Sequence, residues 1–216
     1  MPQVFVTGGT GYIGSRFIGR LLARGHTVRA LARAGSAHKL PEGVEKVEGD
    51  ALDARSFASL IPPAHTVVHL VGTPHPGPTK AARFESVDLA SAYAAADAAA
   101  AANVAHFVYM SVAQPAPIMR AYQSARMRGE AYIAAKGLSA TMMRPWYVLG
   151  PGHQWPRLLV PAYAIAERVP AWRDGARRCG LVTLEQMLAA LVFAVEHPVL
   201  GVRVMDVGTI RTARVD

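Results

Sequence analysis

The sequence predicts the α/β class: a doubly wound parallel sheet with helices on both faces and a small C-terminal cap. Three observations carry this. Short apolar runs alternate along the chain with longer segments whose apolar residues recur at helical spacing, the pattern of a parallel sheet flanked by helices. The first run, Val4-Phe5-Val6-Thr7, leads straight into a glycine-rich turn and then into a periodic segment (Ile13, Phe17, Ile18, Leu21, Leu22). The 216 residues are 51% hydrophobic and 18% charged, enough for one large core, and no Ser/Gly-rich linker divides them.

The elements follow in order. Val4–Thr7 is strand 1, and Tyr12–Arg24 the first helix. Thr27–Ala32 is strand 2 and Lys46–Glu48 a short strand 3, with a helix near Ala54–Leu60. Thr66–Val71 is strand 4, followed by a long helix over about Phe84–Ala102, whose alanine run is a good helix former. His106–Met110 is strand 5, then a helix near Met119–Ala135. Ala140–Met143 is strand 6. A periodic helix covers about Leu184–Glu196, and Arg203–Val207 is a late strand. The whole reads as one domain over residues 1–216, with about 150–180 forming the cap on the substrate side.

The turn Gly8-Gly9-Thr10-Gly11-Tyr12-Ile13-Gly14 has G-x-x-G-x-x-G spacing. Gly8 permits the tight bend, Gly11 lets the backbone approach a pyrophosphate, and Gly14 lets helix and strand pack closely. The helix start then offers free N–H groups to phosphates. Set after a strand and before a helix, the motif predicts a dinucleotide-binding Rossmann fold. Gly8, Thr10, Gly11, Tyr12, Ile13 and Gly14 are its candidate cofactor-binding residues. Sites that choose NAD place an acid about 20 residues beyond the turn, for the ribose 2′-hydroxyl. Here the sequence is Arg29-Ala30-Leu31-Ala32-Arg33, without an acid. Arg33 suits a 2′-phosphate, with Ser36, His38 and Lys39 nearby. NADP(H) is the expected cofactor, with NAD(H) the second choice.

Composition narrows the function classes. The formal net charge is +8, but the basic residues are scattered and no basic run alternates with stacking aromatics, so no nucleic acid is expected. The single cysteine, Cys179, excludes an internal disulfide and suits a reducing compartment. The chain enters strand 1 at once, so no signal peptide is expected, and no apolar run reaches the length of a membrane span. A cytoplasmic location follows as an expectation. His65, His69 and His75 are too loosely placed for a zinc set, so no metal is expected; His69 lies near the cofactor by position and is read as packing. The partner is a small-molecule substrate, with a homodimer left open.

These residues resemble the short-chain dehydrogenase/reductase superfamily, in its extended and atypical branches. Beyond the glycine turn, Gly49-Asp50-Ala51-Leu52-Asp53 is similar to the family's segment after strand 3, which implies Asp50 and Ala51 near the adenine. Val67-Val68-His69-Leu70-Val71-Gly72 resembles its strand 4, implying Leu70, Val71 and Gly72 beside the cofactor. Phe107-Val108-Tyr109-Met110-Ser111 resembles strand 5 ending in the active-site serine. Met143-Arg144-Pro145 with Gly150-Pro151-Gly152 resembles the segment after strand 6. The likeness spans about residues 4–152. It is closest to the atypical NAD(P)H-binding members, which include nitrogen-metabolite-repression regulator-like proteins and relatives of a respiratory complex I accessory subunit.

The resemblance implies a catalytic set of serine plus Tyr-x-x-x-Lys. Here that set is Ser111, Tyr122 and Arg126, with arginine where lysine is expected. Arg126 keeps the charge and can bond ribose hydroxyls, so it is also a cofactor-binding candidate, but it cannot join a proton relay. Asp88 falls where the family often has an asparagine and is expected to face solvent. His153, Trp146, Tyr147 and Trp155 lie around the Gly150 turn at the expected substrate mouth, and the apolar segment Trp155–Trp172 could cap the pocket. Three functions stay open. The first is an NADP(H)-dependent oxidoreductase for a small carbonyl or quinone-like compound. The second is a non-catalytic NAD(P)H sensor or assembly protein. The third is a nucleotide-sugar epimerase/dehydratase, disfavoured by the 66 residues that follow Gly150.

Overall fold

The computed structural model describes residues 3–152 and 168–215. The chain runs β1 (Gln3–Thr7), α1 (Tyr12–Ala23), β2 (Thr27–Ala32), β3 (Glu45–Glu48), β4 (Thr66–His69), α2 (Ala90–Ala101) and β5 (His106–Met110). It continues through α3 (Arg120–Ala135), β6 (Ala140–Met143), β7 (Tyr147–Leu149), α4 (Pro170–Arg178), β8 (Leu181–Thr183), α5 (Leu184–Glu196), β9 (Val202–Met205) and α6 (Val207–Thr212). Seven strands form one sheet, ordered β3-β2-β1-β4-β5-β6-β9, and every pairing is parallel. This is the predicted Rossmann-like α/β fold. The order reverses between β1 and β4, so a crevice opens there beyond the strand ends, where such sheets bind ligands.

Both sheet faces are covered, which is why the inner strands are mostly apolar and their few polar side chains are buried. On one face α1 and α5 pack on Val4, Val6, Val68 and Val108. Phe17, Ile18 and Leu21 of α1 are wholly buried, each contributing about 1.5–3 kcal/mol relative to exposure. On the other face Phe5, Val67, Phe107 and Tyr109 meet α2 and Ile133 of α3. Small alanine side chains let α2 bury seven residues against its neighbours. A capping box between Thr183 and Gln186 starts α5. β7 and β8 pair in parallel as a separate two-stranded sheet that the sequence pattern did not reveal.

Four expectations need correction. Ala54–Leu60 forms two short 3₁₀ turns instead of a helix, because Asp53 caps the first turn and Ser56 folds back on Asp50 and Asp53. β4 ends at His69, so Leu70 and Val71 belong to the following loop. The long helix is interrupted: Phe84–Leu89 forms a π-helical turn before α2 begins at Ala90. The last strand is Val202–Met205, and Val207 opens α6 instead, capped by Asp206.

Candidate functional site

The glycine turn behaves as its spacing implies. Gly8 has a positive φ of 78°, and a Cβ there would lie 2.6 Å from the Leu70 carbonyl carbon. A Cβ at Gly14 would lie 2.2 Å from the Gly8 oxygen, so Gly14 is buried behind the turn. Gly11 differs. A Cβ there would meet only the Gly8 oxygen, at 3.2 Å, and otherwise open space. Gly11 is also the N-cap of α1, with no side-chain cap and no acid in the first turn. The amides at this helix start are therefore available to an anion.

A groove of about 510 Å³ opens beside that turn. Gly8, Thr10, Gly11, Arg33, Asp50, Ala51, Leu70, Val71 and Gly72 line it, nine of the residues the sequence singled out. Arg33 is exposed at the end of β2, with no side-chain partner among the described residues. One Asp50 oxygen accepts from the Leu52 amide at 3.0 Å. Tyr12, Ile13 and Gly14 stand behind the wall: Tyr12 lies against Gly150, and Ile13 packs on the core. Arg83 and Val87 also line the groove and were missed, because the interrupted helix hides which face of residues 81–89 turns inward; Pro74, in the loop before it, lines the groove too.

Arg126 lies beneath the groove floor. It is 3% exposed and pairs with Asp88, itself fully buried, at 2.6 Å. It also donates to the Met110 carbonyl at 2.8 Å and, at 3.4 Å, to that of Val71. Asp88 is thus no solvent-facing residue. Its other oxygen accepts from the Thr73 amide at 3.0 Å and hydroxyl at 2.5 Å. Gly72 must be glycine here, since a Cβ would fall 2.3 Å from the Arg126 guanidinium. Burial works against the charge of Arg126; the acidic groups of Tyr122, Tyr109 and Asp88 work for it and prevail, raising its pKa above the usual arginine value. Tyr122 is half-buried, its ring 5.3 Å from the Arg126 guanidinium and 5.0 Å from the Phe84 ring.

Ser111 is drawn the other way. Its hydroxyl donates to Glu130 on α3 at 2.5 Å. Glu130 is held by two bonds from Arg144, at 2.9 and 2.5 Å, and one from Gln114 at 3.0 Å. With its proton so committed, Ser111 has only lone pairs to offer a ligand. Glu130 escaped the sequence reading, although it lies four residues after Arg126 and so on the same helix side.

A model of the NAD dependent epimerase/dehydratase family matches residues 4–208. The chain belongs to that family. Among curated relatives, ceramide reductase of Caulobacter vibrioides is 30% identical over 92% of this chain. The chain spans 62% of that enzyme. The 3-diazoavenalumate denitrifying reductase of a Streptomyces species is 29% identical, over 92% of this chain and 74% of its own length. Among solved structures, Bordetella bronchiseptica WbmH in complex with NAD+ superposes with a TM-score of 0.70, at 22% identity, over 95% of this chain and 75% of its own. MoeE5 in complex with UDP-glucuronic acid and NAD gives 0.70, at 20% identity, over 95% and 76%. At such identities the structural likeness speaks for the fold.

The groove of this family member fits a dinucleotide: an uncapped helix start, open space at Gly11 and a cation at the end of β2. His153 and Trp155 lie outside the described residues. Trp146 packs partly buried on the core, and Tyr147 is on β7. No group of three or more metal-ligating side chains occurs among the described residues. No described helix is long and apolar enough to cross a membrane.

His69 and His106 are structural. His69 is buried, bonded to Thr7 at 2.8 Å and Ser91 at 3.3 Å, and stacked on Tyr109. Burial, then the Arg126 charge, lowers its pKa to about 3. His106 is lowered to about 4 by burial and Arg203. Below the unfolded value of 6.5 the unfolded chain therefore binds protons that the folded one refuses, so stability falls as pH drops from 6.5 towards 4 and 3. His106→Gln should flatten the urea-midpoint profile over pH 6.5–4, removing up to roughly 3 kcal/mol of pH dependence. A profile as steep as the wild type's would refute this.

Proposed function

We propose that the protein is an NADP(H)-dependent oxidoreductase acting on a small carbonyl or quinone-like compound. The observation that carries this is the groove. Its phosphate-binding turn is open at Gly11, and Arg33 stands at the end of β2 where a NAD site would place an acid. Reductases among the relatives, matched over 92% of this chain, support the reaction class. Gly8, Gly11 and the first amides of α1 would hold the diphosphate, Arg33 the 2′-phosphate, and Asp50 and Ala51 the adenine end. The nicotinamide, when bound, supplies the hydride.

The chain's own part is to hold a proton beside the substrate oxygen. The Ser111 hydroxyl spends its one donated hydrogen bond on Glu130, which leaves the Tyr122 hydroxyl as the proton donor in this reading. Arg126 keeps a positive charge beside that ring while its own nitrogens are tied to Asp88, Met110 and Val71. It positions the site and moves no proton. The substrate is compact and the reaction is cytoplasmic; most of the expected cap over residues 150–180 lies outside the described residues.

The test is NADPH consumption against a panel of aldehydes, ketones and quinones. Turnover is expected, and Tyr122→Phe should reduce it by about 10²–10⁴-fold without changing cofactor affinity. Turnover untouched by Tyr122→Phe rejects the tyrosine mechanism. The tied-down Arg126 and Ser111 favour a second reading, a non-catalytic NADP(H) sensor. Tight NADPH binding with no turnover on the whole panel would select it.

A further inference from the structure

We propose that Arg83 is a ligand of the dinucleotide's diphosphate. The proposal rests on the cofactor reading above and extends it to a residue outside the glycine turn. Arg83 is exposed, lines the groove, and has no side-chain partner among the described residues. Asp50 is the one carboxylate among the described groove-lining residues, at the β3 end, and one of its oxygens is bound to a backbone amide. Two guanidiniums facing one partly satisfied carboxylate suit a ligand with several negative charges.

Topology divides the two arginines. Arg33 leaves the end of β2, whereas Arg83 enters from the segment after β4, and β1 runs between those strands. The glycine turn at the end of β1 marks the diphosphate position, so Arg33 lies towards the adenosine side and Arg83 on the opposite side.

The segment before Arg83 is fixed by polar contacts. The Thr73 amide and hydroxyl both donate to Asp88, at 3.0 and 2.5 Å, and Asp88 is paired with Arg126; the Arg83 carbonyl lies 3.5 Å from that hydroxyl. The next residue, Phe84, is buried against Tyr122 and opens the π-helical turn. Burial of Phe84 thus anchors the backbone next to Arg83, while the Arg83 side chain is exposed at the groove.

Calorimetric titration with NADPH and with NADH tests this, comparing wild type, Arg83→Ala, Arg83→Lys and Arg33→Ala at low and high salt. Loss of the contact should weaken both cofactors alike, by about ten- to a hundredfold. The salt dependence of affinity should fall with it, and Arg83→Lys should recover part of the loss. Arg33→Ala should weaken NADPH alone. An exposed side chain leaves the melting curve unchanged, so misfolding does not mimic the result. Affinities within twofold of wild type in Arg83→Ala overturn the proposal. A loss confined to NADPH also overturns it, by moving Arg83 to the 2′-phosphate. A wild type that binds neither cofactor removes the reading beneath it instead, along with the proposal.

Discussion

Asp88→Ala should destabilise the fold by about 3–5 kcal/mol, the usual cost of leaving one charge of a buried pair alone. Asp88 is fully buried and Arg126 is 3% exposed, so solvent does not replace the lost carboxylate. The Met110 and Val71 carbonyls would still accept from the guanidinium, but neither carries charge. The Thr73 amide and hydroxyl would lose their acceptor in the same step. Urea unfolding measures the effect as a lower midpoint at unchanged slope. Asp88→Asn should fall between wild type and Asp88→Ala, since it keeps the shape and an acceptor. A loss below about 1 kcal/mol in Asp88→Ala would place the pair in water and refute the geometry.

Gly11→Val should abolish dinucleotide binding and leave the domain folded. The φ of Gly11 is −80°, ordinary for any residue, and the new Cβ would press only on the Gly8 oxygen at 3.2 Å. The side chain would instead fill the open space beside the first amides of α1, where the phosphates are proposed to lie. Titration with NADPH should give no heat, while circular dichroism and the melting curve stay near wild type. Gly14→Val is the contrast: its Cβ would lie 2.2 Å from the Gly8 oxygen, so the turn itself must deform and folding should suffer. Wild-type affinity in a folded Gly11→Val protein would remove the cofactor from this groove.

The sequence by itself determined the central sheet and the glycine turn at the end of β1. Strand positions from Val4 to Met143 follow from local apolar runs. The turn follows from residues close together in sequence, where glycine's steric freedom and helix-start amides act over a few bonds, and Arg33 from its place at the end of strand 2. The tertiary structure decided what the polar residues around that groove do. Arg126 reads in sequence as a substitute for a catalytic lysine. In space it meets Asp88, 38 residues away, and becomes a buried brace. Ser111 reads as an active-site hydroxyl, but it donates its hydrogen bond to Glu130, 19 residues away. Arg83 shows no motif at all, and only the π-helical turn after it settles its face. The physical reason is common to all three. A backbone conformation is set by neighbours along the chain, whereas the partner of a buried charge or hydroxyl is whatever group the fold brings within three ångströms, and desolvation makes that choice binding.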